Sequence, residues 1–166
     1  LKNFDAFSMI SKTDADRIHA MGAPADKIQI NGNAKYDQTI ISPDPAVERE
    51  MRRILSLTPS DRVIVAGSTR RGEEAMLLDA FEKIRSRYPG ILLILAPRHI
   101  KRAADICVLI RSRGLKCQVR TEIGRGKGER TAQILVIDTF GELFNIYSAA
   151  TVVFCGASLV PLGGQN

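Results

Sequence analysis

The sequence predicts an α/β domain: a Rossmann-like, three-layer, doubly wound parallel sheet. Three observations point to it. Short apolar runs recur near positions 63, 91, 116, 133 and 151, as expected of strands buried on both faces. Segments with apolar residues at helical spacing lie between the first three runs and between the last two. Gly67, Pro97 and Gly156 stand at the carboxyl ends of runs, where open parallel sheets hold ligands. Right-handed crossovers then suggest the strand order 3-2-1-4-5.

Composition sets the outer bounds. The 166 residues, 45% of them hydrophobic, suffice for one core of domain size. A net charge of +6 admits phosphorylated ligands, acidic lipid or nucleic acid without choosing among them. Aromatic content of 5% and the lack of an RNP-like run argue against a base-stacking nucleic-acid module. Cys107, Cys117 and Cys155 are odd in number and lack C-x-x-C spacing, which argues against a disulfide framework and a zinc site. No apolar run approaches the ~20 residues that span a bilayer, and the first residues carry no signal-peptide pattern.

In chain order, Phe7 to Ile10 reads as a short strand. A helix from Thr13 follows, with Ala15, Ile18 and Met21 on one face and Gly22 as its stop. Lys27 to Asn31 alternates like an edge strand, and Gly32 to Asp37 reads as a crossing with a glycine pivot. This places a tail and linker at 1–37 and the sheet domain at 38–166. Pro45 to Leu57 is an amphipathic helix with Val47, Met51, Ile54 and Leu55 on its apolar face, capped by Asp44 or Ser42.

Arg62 to Ala66 is a buried strand that opens into Gly67-Ser-Thr-Arg-Arg-Gly-Glu-Glu74, and Glu73 to Arg87 is the helix that follows. Backbone N–H groups and hydroxyls at Gly67, Ser68 and Thr69 suit a phosphate or carboxylate. The same residues equally suit a turn in which Ser68 or Thr69 caps its own helix. Gly90 to Ala96 is the second strand, ending on Pro97-Arg98-His99. Proline fixes the turn and aims Arg98 over the sheet edge, where a guanidinium pairs with phosphate or stacks on a base. His99 reads as a cap for a helix from Ile100 to Arg113.

Leu115 to Val119 is a short third strand. The basic stretch from Arg120 to Arg130 reads either as a solvated loop or as a contact for anionic lipid. Leu135 to Asp138 is a strand ending on an acid, a helix follows from Thr139 with Leu143, Ile146 and Tyr147 on one face, and Val152 to Cys155 is a further buried run closing into Gly156-Ala-Ser158.

Two dense motifs carry a family resemblance. Asp138, Thr139, Gly141, Glu142 and Leu143 read D-T-x-G-E-L, and Gly156, Ser158, Leu159, Val160, Gly163, Gly164 and Asn166 read G-x-S-L-V-x-x-G-G-x-N. This pair resembles the 3-deoxy-D-manno-octulosonic acid (Kdo) transferases of lipopolysaccharide synthesis. Pro97-Arg98-His99, Gly32-Asn-Ala-Lys-Tyr-Asp37 and the pattern at Ser11, Asp14, Ala15, Arg17, Gly22 and Ala23 are similar to that family as well.

The resemblance implies the donor-binding half of a GT-B glycosyltransferase that moves Kdo from CMP-Kdo to a lipid A precursor. The acceptor site and catalytic carboxylate would then lie outside this chain, which would stop before the last strand and helices of the sheet. By resemblance, Lys35 stabilises charge in the transition state. Pro97, Arg98, Phe140, Gly141, Glu142 and Asn166 contact CMP, and Gly67, Ser68, Thr69 and Ser158 form the donor sugar and phosphate loops. No metal or cofactor beyond the substrate CMP-Kdo is implied, and no nucleic acid. The longer protein would sit at the cytoplasmic face of the inner membrane, in peripheral contact with anionic lipid.

Arg70 departs from the family's histidine. Read without the resemblance, Lys35 is a linker lysine and Glu142 a favourable first-turn acid. Another GT-B enzyme, a UDP-sugar transferase or epimerase, would share the sheet and differ in preferring UDP to CMP.

Overall fold

A computed structural model describes residues 1–33, 44–124 and 127–162. The chain divides into two compact units, Leu1–Ser42 and Pro43–Asn166.

In the first unit, β1 (Phe7–Met9), α1 (Lys12–Ala20) and β2 (Ile28–Ile30) follow one another, and the two strands pair in parallel with Phe7 opposite Ile28. Ser11 starts α1: its hydroxyl accepts the Asp14 N–H at 3.2 Å, as a helix cap requires. Gly22 ends it at φ 96, a conformation that a side chain disfavours. Lys35 lies outside the described residues, so the lysine expected to stabilise charge has no described position.

The second unit comprises α2 (Pro45–Ile54), β3 (Val63–Thr69), α3 (Glu73–Arg87), β4 (Leu92–Pro97), α4 (Ala103–Ser112), β5 (Cys117–Val119), β6 (Ile134–Val136), α5 (Leu143–Ser148) and β7 (Val152–Cys155). All strand pairs of its sheet are parallel. Alternate residues of each inner strand face opposite cores. Leu93, Leu95, Ile134 and Val136 pack with Leu78, Phe81, Ile106 and Ile110 of α3 and α4. Val63, Val65, Ile94 and Leu135 pack with Met51 and Ile54 of α2 and Ile146 of α5. Helices therefore cover both faces, as the three-layer class predicts.

The strand order corrects the sequence expectation. It runs β5-β6-β4-β3-β7, so the runs near 116 and 133 lie together on one side of the sheet. Ile134, Leu135 and Val136 are all buried, whereas Cys117, Gln118 and Val119 are half-buried. The fully apolar strand takes the interior place beside β4, and the strand carrying Gln118 takes the edge.

β7 is the other edge, and its Val152 and Val153 are 56% and 46% exposed rather than buried. The turn after β3 also differs from the capping alternative. Ser68 and Thr69 belong to the strand, and Gly72 stands at the start of α3 with no side-chain cap. The helix expected from Ile100 opens as a 3-10 turn over Ile100–Arg102 before α4 begins.

Candidate functional site

At the carboxyl ends of β3, β4 and β6 lies a cleft of about 210 Å³ whose walls include Ser68, Pro97, Arg98, Ile100, Phe140 and Phe144. Pro97 is buried as the last residue of β4. It offers no N–H, so the next residue resumes the ladder: the Arg98 N–H donates to the Thr69 carbonyl at 3.1 Å. This bond fixes the Arg98 backbone while its side chain stays exposed. Among the described residues the guanidinium has no hydrogen-bond or ion-pair partner, and Arg98 is the only charged residue lining the cleft. The walls are otherwise apolar or neutral, so the cleft suits a ligand with an anionic group and a flat or apolar body.

The opposite lip is the segment between β6 and α5. Phe140 is 87% exposed there, and Gly141 turns the chain at φ 86, a conformation glycine adopts without steric cost. Glu142 stands behind them. Its carboxylate accepts from Thr139 Oγ1 at 2.6 Å and from the Arg120 guanidinium at 3.0 Å, so its charge is compensated within the protein. Asp138 accepts from the Thr121 N–H at 3.0 Å and from Thr121 Oγ1 at 2.5 Å. These bonds tie the lip to the turn after β5.

Arg120 and Arg130, the two ends of the basic stretch, are accordingly not solvated arginines. The Arg120 side chain is 14% exposed and that of Arg130 15%. Arg130 donates to the carbonyls of Leu55, Ser56 and Ala132 and pairs with Asp61. Both arginines organise the second unit from within.

The residues at the end of β3 divide into three roles. Ser68 lines the cleft at φ 55, a left-handed conformation that stores strain in a non-glycine residue. Gly67 is needed for packing: a Cβ there would lie 1.7 Å from the Tyr147 hydroxyl oxygen. Burial, and then the neighbouring Cys155, raise the Tyr147 phenol above its ordinary range. Thr69 corrects the expectation of a ligand-facing hydroxyl. It is fully buried, and its Oγ1 donates to Glu74 at 2.8 Å. Arg102 pairs with the same carboxylate at 2.9 Å.

Ser158 also stands apart from the cleft lining. Its hydroxyl donates to the Cys155 carbonyl at 2.6 Å, and its N–H donates to Glu73 at 2.9 Å. The structure thus brings together Ser68, Pro97, Arg98, Phe140 and Gly141, with Gly67 and Glu142 supporting them. Lys35 and Asn166 lie outside the described residues. Sequence reasoning missed Glu73, Glu74, Arg102, Arg120 and Tyr147. Adjacent acids at a helix start were the only local signal for Glu73 and Glu74, and they look like ordinary first-turn acids.

No family model matches the sequence. A bifunctional glycosyltransferase/methyltransferase of Fusobacterium nucleatum is 32% identical over 100% of this chain and 25% of its own length. A 3-deoxy-D-manno-octulosonic acid transferase of Haemophilus influenzae is 32% identical over 90% of this chain and 34% of its own length. The chain therefore spans between a quarter and about a third of these relatives. The C-terminal CMP-Kdo binding domain of WaaA from Acinetobacter baumannii shares the fold, with a TM-score of 0.63 and 24% identity over 74% of this chain and 64% of that one.

Proposed function

We infer from its kinship with the Kdo transferases, the family to which this chain belongs, that it is the donor-binding part of a glycosyltransferase. The reaction we propose is transfer of Kdo from CMP-Kdo to a lipid A precursor in lipopolysaccharide synthesis, carried out by a longer protein. One observation carries this reading: the Arg98 guanidinium, without a partner among the described residues, stands at a strand end in the same cleft as the exposed Phe140 ring.

The chemistry asks for that pairing. Kdo leaves CMP through an oxocarbenium-like state, so negative charge accumulates on the departing phosphate. A guanidinium held on a rigid strand end stabilises that charge with little reorganisation. Its planar fork matches phosphate oxygens. The Phe140 face suits the base, and Gly141 lets backbone approach the nucleotide. Glu142, neutralised by Arg120, holds the lip in place.

Contacts from Lys35 and Asn166 are part of the same proposal, as is transfer without a resident metal or cofactor. Acceptor binding and the general base belong to other parts of the longer protein. The location we propose for that protein is the cytoplasmic face of the inner membrane, in peripheral contact with anionic lipid. Among the described residues no helix is long and apolar enough to cross a membrane. Arg120 and Arg130 are turned inward, so the peripheral contact rests on the lipid nature of the acceptor.

The direct experiment incubates the longer protein with CMP-Kdo and a lipid A precursor and follows CMP release and product mass. Kdo addition supports the reading. Turnover of UDP-sugars in its place would assign the sheet to another GT-B activity. This chain alone is expected to bind donor without transferring it.

A further inference from the structure

Glu73, at the first position of α3, is fully buried, yet among the described residues its carboxylate has only backbone N–H partners. Oε2 accepts from the N–H groups of Arg70 at 2.7 Å and Ala157 at 2.9 Å. Oε1 accepts from those of Ser158 at 2.9 Å and Leu159 at 3.0 Å. Three of the four donors are consecutive. Ala157 adopts φ 62, and a left-handed residue makes successive N–H groups converge into a concavity that binds anions. Such nests hold anionic ligands in phosphate and iron–sulfur sites; here the nest receives a side chain from the same protein. Burial by itself would raise the Glu73 pKa, but the four backbone bonds outweigh it and hold the carboxyl below its ordinary value.

The nest lies directly behind the cleft. The Gly156 N–H donates to the Gly67 carbonyl at 2.8 Å, and a Cβ on Gly156 would lie 2.2 Å from the Ser68 carbonyl oxygen. Ser68 in turn lines the cleft and is held in its strained conformation. Glu73, the loop after β7 and the cleft wall are thus one packed series.

We propose that Glu73 is a positioning residue for the donor site: its carboxylate fills the anion nest of Ala157 to Leu159, so this loop braces Ser68 and takes neither the phosphate nor the carboxylate of the donor. The proposal rests on the reading that the cleft binds the CMP part of the donor. It assigns the loop's N–H groups to the protein itself, so that among the described residues Arg98 is the charged group in the cleft that faces the donor's anionic part.

The test uses chemical rescue. Glu73→Ala removes the anion and leaves space and four bare donors, which millimolar formate can fill; chloride at equal ionic strength serves as the control. The expected result is a lower melting temperature for Glu73→Ala that formate raises and chloride does not, with no formate effect on the wild type. CMP affinity should fall about tenfold in Glu73→Ala, equivalent to ~1.4 kcal/mol, and recover with formate. Glu73→Gln keeps the shape but offers one acceptor oxygen and turns an NH₂ group toward backbone donors, so it should lose affinity without rescue.

Should Glu73→Ala be unfolded, its folding on addition of formate supports the proposal, and Glu73→Gln then supplies the affinity measurement. Wild-type CMP affinity in either variant, or equal effects of formate and chloride, overturns the proposal. A wild type that binds no CMP overturns the donor reading and the positioning role with it, while a formate-specific rise in melting temperature would still identify the nest.

Discussion

The Arg120 guanidinium donates to the Glu142 carboxylate at 3.0 Å, joining residues 22 positions apart. The pair explains how an exposed aromatic lip stays in place, because Glu142 directly follows Gly141 at the start of α5. Removing one partner leaves a half-buried charge uncompensated, a larger penalty than the pair's net worth. Arg120→Ala is expected to cost about 1–3 kcal/mol of stability, the scale of a charge-assisted bond at a partly buried site. Arg120→Met with Glu142→Gln should be less destabilising than the sum of the two single changes. Additive denaturation midpoints across that cycle would show that the pair contributes nothing.

Gly67 and Tyr147 predict a steric coupling. A Cβ at position 67 falls 1.7 Å from the Tyr147 oxygen, so the ring must move. Gly67→Ala should cost about 1–3 kcal/mol, the usual penalty for overpacking. In a Tyr147→Ala background the same change should cost much less. Thermal melts of the four proteins measure this, and an undiminished cost in the double variant would place the strain elsewhere.

Acid sensitivity follows from Glu73. Its folded carboxyl is held below its ordinary value, so the stabilisation it contributes is present above the unfolded carboxyl pKa, near about 4.3. That stabilisation is lost as pH falls through the folded value. Wild-type stability should therefore decline as pH drops below that region, and the Glu73→Gln protein, less stable at neutral pH, should show a shallower decline. Parallel curves of unfolding free energy against pH for the two proteins would contradict this.

The cysteines should separate by reactivity. Cys107 is 4% exposed, and its thiol is pushed up to about 12 by burial and then by the adjacent Cys117. Cys155 is exposed. Thiolate is the reactive form, so an alkylating reagent at neutral pH should modify Cys155 in the native protein long before Cys107. Peptide mapping over time checks the order.

Much of the fold was legible because burial on both faces leaves an unmistakable trace. Gly90 to Ala96 and Leu135 to Asp138 read as strands from their apolar runs, and the strands that form, Leu92–Pro97 and Ile134–Val136, are buried on both sides. Strand order was less legible. A short strand such as Cys117 to Val119 differs from an interior one only in its half-burial and in Gln118, and the sequence says little about which neighbour a connection reaches. At the site, Pro97 and Arg98 were readable as strand-end residues, whereas Phe140 entered only through the family resemblance. Thr69 was ambiguous because hydroxyls beside a glycine look alike whether they face a ligand or a buried acid of the following helix, and its hydroxyl donates to Glu74. Glu73 and Arg120 were missed for a related reason. Their partners, at Ala157 to Leu159 and at Glu142, are remote in sequence, and nothing in either segment announces the other.

Whether Arg98 organises a nucleotide site is decided by titrating CMP into the chain and into Arg98→Ala, using calorimetry with backbone NMR shifts. Measurable CMP binding should shift the signals of Arg98, Phe140 and Gly141. The Arg98→Ala variant should bind CMP more weakly by roughly 1.5–3 kcal/mol, the range for a charge-assisted hydrogen bond, with the fold unchanged. Equal CMP affinity in the two proteins would remove Arg98 from the site, and tighter binding of UDP than of CMP would contradict the donor assignment itself.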